Sequence, residues 1–294
     1  FGRKHLSDTL LQKLESERFV AVVGSSGCGK SSLINAGLLP VVVSRSWQVV
    51  VVRPQNDPIA NLANELRKLD FHEMDEPPRN IEAEFQGVAQ SFRQVWEQML
   101  PLTLSMTSQG LVDTFRQTNS AKPLLLIVDQ FEELLQYKSK GTEQRDNAIK
   151  FINLLIEAAQ QHEFPIHIVI VMRSDFLGYC AQFKGLPELL NRGHFLIPRL
   201  TRDQYREAII GPLDKYSIRI ASNVVSRLLN DIEDDPDQLP ILQHAMMLTF
   251  EEWRNNGEQT NVIEAIHYDA SGGMTKSIDE HCNAIFNELK TDHL

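Results

Sequence analysis

Cysteine is scarce in this sequence: three among 294 residues, at positions 28, 180 and 282. An odd and widely spaced set excludes a disulfide framework and points to a reducing compartment, the cytoplasm. Equally missing is any apolar run near the ~20 residues that cross a bilayer. The longest, FPIHIVIVM (164–172), has the length and β-branched content of a buried strand. No signal peptide opens the chain. Positive charge is in deficit, with 29 Lys and Arg against 39 Asp and Glu and a net charge of −10. That balance excludes a broad surface for duplex nucleic acid or anionic membrane, so neither is an expected partner. His162, His194, His244 and Cys180 lack any metal-ligand spacing and read as ordinary core or surface residues. The first residue is Phe rather than Met, so the sequence reads as a piece of a longer protein whose effector or sensor domains lie outside it.

What is present is an alternation of short apolar runs and helical patterns. FVAVV (19–23), WQVVVV (47–52), LLLIVD (124–129), IHIVIVM (166–172) and HFLIP (194–198) read as buried parallel strands. Helical periodicity covers 30–39, 58–69 behind a cap at Asp57, and 145–161. The expected fold class is therefore α/β, a parallel sheet with helices on both faces. Some seventy residues between the second and third strands show no strand pattern. They read as a helical insertion over about 58–120, divided by the polar break DEPPRN (75–80). After residue 199 the strand patterns stop. Segments 201–213, 222–232, 239–253 and 274–289 favour helices, with Thr201 and Ser222 as N-caps and EDDPD (233–237) as a solvated turn. The expected domains are an α/β core over 1–199 and an all-helical lid over 200–294, ending in the start of a winged helix.

Gly24, Gly29, Lys30 and Ser31 fit G-x-x-x-x-G-K-[ST], directly after a strand and before a helix. Glycines at such a turn let backbone amides face phosphate oxygens at a helix N-terminus. Gly24, Ser25, Gly27, Cys28, Gly29, Lys30, Ser31 and Ser32 are the phosphate-binding candidates. Lys30 would reach the outer phosphates and the Ser31 hydroxyl would bind Mg²⁺. A second metal-side acid is expected at the end of an apolar strand, and Asp129 stands there. Glu132 and Glu133 follow it. Either can polarise an attacking water, and spacing does not rank them. Arg173 ends the strand 166–172, where a cation can sense a terminal phosphate; its other reading is a pair with Asp175. A guanine-reading Asn/Thr-Lys-x-Asp run is missing, as is a Leu-Ser-Gly-Gly-Gln signature.

Together these stretches resemble the STAND branch of the P-loop NTPases, relatives of the AAA+ ATPases and of NACHT and NB-ARC proteins, with the bacterial novel STAND group the nearest in pattern. FGR (1–3) looks like that group's opening motif, VAVVGSSGCGKSSLINAGLLP like its P-loop, LLLIVDQFEEL like its Walker B segment and VMRSDFLG like its sensor 1 segment. LPILQHAM (239–246) is similar to the Leu-Pro motif of its lid. The resemblance implies an AAA+-like sheet with a helical lid, ATP or ADP with Mg²⁺ as cofactors, Phe1, Gly2 and Arg3 near the adenine, and Pro240 against the base or ribose. It implies a slow ATPase that works as a signalling switch and self-associates in the ATP state. The alternative is an AAA+-like motor with continuous turnover, for which Arg192 or Arg199 would supply an arginine finger.

Overall fold

The computed structural model describes residues 2–69, 84–118, 122–136, 141–232, 238–256 and 260–274. Phe1, the break at 75–80, the turn at 233–237, Cys282, and everything after Met274 of the helix expected over 274–289, with the winged-helix start, lie outside them. The chain divides into two compact units: one comprises His5–Gly24 and Lys30–Ile197, the other Phe1–Lys4, Ser25–Gly29 and Pro198–Leu294.

In the larger unit, α1 (Lys4–Glu17) leads into β1 (Phe19–Gly24), which is buried along its whole length. After the glycine loop come α2 (Lys30–Ser32), a π-helical turn (Leu33–Leu38) and α3 (Leu39–Ser44). The helix expected over 30–39 thus runs longer and changes register midway. Pro40 lacks the N–H that an α-helical bond to Ala36 would use, and the Leu39 N–H bonds to Ile34 O across a wide turn. Next are β2 (Gln48–Val52), three helices, α4 (Pro58–Arg67), α5 (Glu84–Met106) and α6 (Gly110–Thr118), and then β3 (Leu124–Val128). Asp57 caps α4 by accepting from the Ala60 N–H at 3.0 Å. A 3₁₀ turn (Phe131–Leu135) leads to α7 (Thr142–Gln160), β4 (Ile166–Arg173), a second 3₁₀ segment (Ser174–Gln182), α8 (Leu186–Gly193) and β5 (His194–Leu196).

The five strands form one parallel sheet in the order β2-β3-β4-β1-β5. Continuous apolar runs suit the central strands because helices cover both faces: β1 and β3 are buried throughout, and β4 as far as Met172. Val51, on the edge strand β2, is exposed. In register, Gly24 of β1 lies opposite Arg173 of β4, so chemistry-bearing residues finish on one edge of the sheet.

In the smaller unit, α9 (Arg202–Asp214) starts with a complete capping box between Thr201 and Gln204. It is followed by β6 (Arg219–Ile220), α10 (Ser222–Asp231), α11 (Gln238–Asn256), β7 (Val262–Ile263) and α12 (Ala265–Ala270). Two expectations are corrected here. The region is not all-helical, since β6 and β7 pair in parallel; two residues each are too few for any readable alternation. Ser222 does not cap α10. The Ala221 N–H bonds to Ile263 O, which holds Ala221 extended in the capping position and makes Ser222 the first helical residue.

Gly193 closes α8 so near β1 that a Cβ there would lie 2.1 Å from Phe19 O. Gly193→Ala should lose about 2–4 kcal/mol of stability, read as a lower urea midpoint at unchanged m-value; an unaltered midpoint would contradict the close packing.

Candidate functional site

At the sheet edge of the larger unit, the Lys30 Nζ donates to Gly24 O at 3.0 Å, across the ends of its own loop. Ser31 and Ser32, which follow Lys30, are exposed. Asp129 leaves β3 with its N–H bonded to Val52 O, and its Oδ2 accepts from Arg53 Nε at 3.3 Å and Nη2 at 3.1 Å. The next residue, Gln130, takes a left-handed conformation (φ 58, ψ 45), which swings the chain from strand into the 3₁₀ turn. That conformation is uncommon for a residue with a side chain and is held here by the buried Phe131, Leu134 and Leu135.

The 3₁₀ turn separates the two glutamates. Glu133 Oε2 accepts from the backbone N–H of Gln55 at 2.8 Å, so it fastens the loop after β2. Glu132 faces the other way. It is half-buried, accepts from the backbone N–H of Arg173, and lies within electrostatic reach of Lys30 and Arg173. Its Oε2 is buried without a hydrogen-bond partner. Burial pushes its carboxyl above the usual carboxylate range, and only part of that rise is offset by these hydrogen bonds and cations. A buried carboxylate oxygen within electrostatic reach of two cations is an acceptor that a bound water or a phosphate-linked group can satisfy.

Arg173 itself donates to Asp175 Oδ2 at 2.6 Å, with its guanidinium 6.0 Å from the Phe176 ring centroid. The pair with Asp175 thus exists. It is exposed, and worth little by itself.

Gly2, Arg3, the loop Ser25–Gly29 and Pro240 belong to the smaller unit. Gly27 (φ 64) and Gly29 (φ 89) both sit in the left-handed region, as a loop turning its amides inward demands. A Cβ on Gly29 would meet Leu239 Cδ2 at 3.3 Å, so the start of α11 packs on the loop. It is Leu239, not Pro240, that makes this approach; Pro240 is exposed. Arg3 is half-buried, donates to Pro198 O at 3.0 Å, and lies near the buried Cys28 and Tyr205, while Gly2 lies against Gln204 O. Burial lowers the Arg3 pKa below its ordinary value. Sequence reasoning missed Arg53 and Leu239. Arg53 carried the same signal as Arg173, a cation directly after an apolar strand; Leu239 carried none beyond its place beside Pro240.

A family model described as Novel STAND NTPase 1 matches residues 1–293. No curated protein matches the sequence. Among solved structures, the Aeropyrum pernix ORC2 protein in its ADP form superposes with a TM-score of 0.56 at 12% identity, covering 91% of this chain and 66% of that one. The Walker-type ATPase paby2304 of Pyrococcus abyssi gives 0.57 at 15% identity, covering 99% and 75%. Cdc6p from Pyrobaculum aerophilum gives 0.53 at 13% identity, covering 89% and 64%. At such identities the likeness concerns the fold, a five-stranded parallel P-loop ATPase sheet followed by a largely helical region. The chain spans about two thirds of the ORC2 and Cdc6p chains.

The raised carboxyl of Glu132 has a stability consequence. Because the folded state holds the proton more tightly, ionised Glu132 costs stability, and the cost sets in as pH rises from the ordinary carboxyl range through the raised value. Nucleotide-free Glu132→Gln should therefore be more stable than wild type at about pH 8, with the gain shrinking towards about pH 4.5. Urea melts across that range read it; a gain independent of pH would contradict the assignment.

Proposed function

The chain belongs to the novel STAND NTPase family, and from that premise we propose that it binds ATP and ADP and acts as a nucleotide-dependent signalling switch controlling self-association, with slow Mg²⁺-dependent hydrolysis. The observation that carries the catalytic part is the partnerless Glu132 Oε2, buried beside Lys30 and the Arg173 backbone. Glu132 is the general base in this reading: its Oε2 orients a water and takes its proton as the outermost phosphate is attacked. Glu133, which accepts from the Gln55 N–H, is assigned a positioning role in this reading.

The loop amides, with Gly27 and Gly29 in their left-handed conformations, cradle phosphate oxygens, and Lys30 exchanges Gly24 O for the outer phosphates. Arg173 turns from Asp175 towards the terminal phosphate. Ser31 and Asp129 would hold Mg²⁺, which when bound would supply charge neutralisation for the phosphates. The residues suit it: Asp129 already accepts a cation, the Arg53 guanidinium, which the metal would replace. Gly2, Arg3 and Pro240 are assigned to the base side by family resemblance. The reading as a switch is supported by Leu239, which ties the Gly29 loop to α11, so that releasing nucleotide disturbs helical packing as well as the loop.

Glu132→Gln should bind ATP normally and hydrolyse it at least about 100-fold more slowly, whereas Glu133→Gln should stay within a few-fold of wild type. Normal turnover in Glu132→Gln would refute the base. The switch itself is tested by the purified chain's nucleotide content. Co-purified ADP that exchanges over minutes or longer is the expected result, and an empty protein with rapid turnover would point to a motor instead.

A further inference from the structure

Arg53 leaves β2 with its main chain gripped from two sides. Its carbonyl and that of Pro54 both accept from the Asn61 side-chain amide, at 3.2 and 3.0 Å, so the first turn of α4 holds the chain there. Pro54 is buried, and Gln55 beside it adopts a left-handed conformation (φ 48). On the other side two backbone bonds fasten the strand exit to the acidic segment after β3. The Asp129 N–H donates to Val52 O, and the Gln55 N–H to Glu133 Oε2 at 2.8 Å. A main chain fixed in this way limits where the guanidinium can reach.

It reaches Asp129. Nε and Nη2 both donate to one carboxylate oxygen, at 3.3 and 3.1 Å. The two ends of this pair are unlike: the Asp129 side chain is 13% exposed, the Arg53 side chain 56%. Without Arg53, Asp129 would be a largely enclosed anion at the end of an apolar strand, a setting that suits a hard divalent cation. With Arg53 in place its charge is already balanced. A dication at either carboxylate oxygen would also stand within a few ångströms of the guanidinium and be repelled by it. Arg53 can nevertheless give way, because more than half of its side chain is in water and solvent takes over the bonds it releases.

We propose that Arg53 is an internal counter-ion guarding the metal-side carboxylate: it keeps a bare divalent cation off Asp129 and yields to one that arrives with a phosphate chain. The inference rests on the assignment of Asp129 to the metal and on no other part of the function proposed above. A metal carried by a nucleotide has phosphate oxygens as further ligands, so it can displace a guanidinium that the bare ion cannot. Arg53 thereby makes metal entry depend on nucleotide entry.

Binding of Mn²⁺ alone, with no nucleotide added, tests this; it is read from the loss of the free ion's electron paramagnetic resonance signal. Mn²⁺ takes the same oxygen ligands as Mg²⁺. Arg53→Gln should bind it at least about tenfold more tightly than wild type, the scale of one charge-assisted hydrogen bond. Arg53→Met should show the same gain, and Arg53→Lys, which keeps the charge, should stay closer to wild type. In Arg53→Gln/Asp129→Asn the gain should vanish, a control for the other acidic side chains of a chain with a net charge of −10. Should Arg53→Gln fail to fold, Arg53→Met decides. Equal Mn²⁺ affinity in wild type and the neutral variants overturns the proposal, and so does a gain that survives Asp129→Asn. The Mg²⁺ dependence of ADP affinity in Asp129→Asn keeps the two readings apart. If it is lost while Arg53→Gln leaves Mn²⁺ binding unchanged, the guard alone fails; if it persists, the metal assignment fails with it.

Discussion

Everything at the sheet edge rests on the parallel pairing of β1 with β4. Gly24 lies opposite Arg173 in that register, and Phe19 opposite Ile168. Sliding β4 by one residue would turn its buried side chains to the other face and carry Arg173 away from the loop that Lys30 follows. The register is held by burial: both strands are buried for at least six residues and covered on both faces. Because the Arg173 backbone N–H is also the donor to Glu132, the same pairing decides where the acidic turn after β3 comes to rest. A purely hydrophobic constraint thereby positions polar chemistry that contributes little to stability itself.

Electrostatically, the cations of this edge are engaged before any ligand arrives. Lys30 donates to Gly24 O, Arg53 pairs with Asp129 and Arg173 with Asp175. In the function proposed, binding a phosphate chain with a metal would then be an exchange of partners. Such an exchange limits affinity for isolated anions, because each bond gained replaces one already made. It favours a ligand that engages several of these groups together.

The five strands, the glycine loop and Asp129 were legible in the sequence because each depends on local signals: an unbroken apolar run, a glycine spacing, a carboxylate at a strand end. The different surroundings of Glu132 and Glu133 were not. They follow from the left-handed Gln130 and from Gln55, an N–H donor 78 residues from Glu133 along the chain. The wide turn of Leu33–Leu38 was hidden for a similar reason. Pro40 is visible, but a proline can end a helix, kink it or change its register, and the packing of Leu33, Ile34, Leu38 and Val42 decides among these. The β6–β7 pair fell below the length at which periodicity means anything. Leu239, which packs on the Gly29 loop, gave no signal of its own beside the conspicuous Pro240.

The compact unit that holds Ser25–Gly29 is assembled from three separate stretches of chain, and its main body begins only at Pro198. During synthesis the glycine loop therefore leaves the ribosome about 210 residues ahead of Leu239, which packs on it. At ordinary elongation rates that is a wait of roughly 10–40 s. The sheet can be complete in that interval while the loop still lacks Leu239. The packed form of the loop is thus one of the last things the nascent protein acquires, and it cannot be inherited by any product that ends before α11.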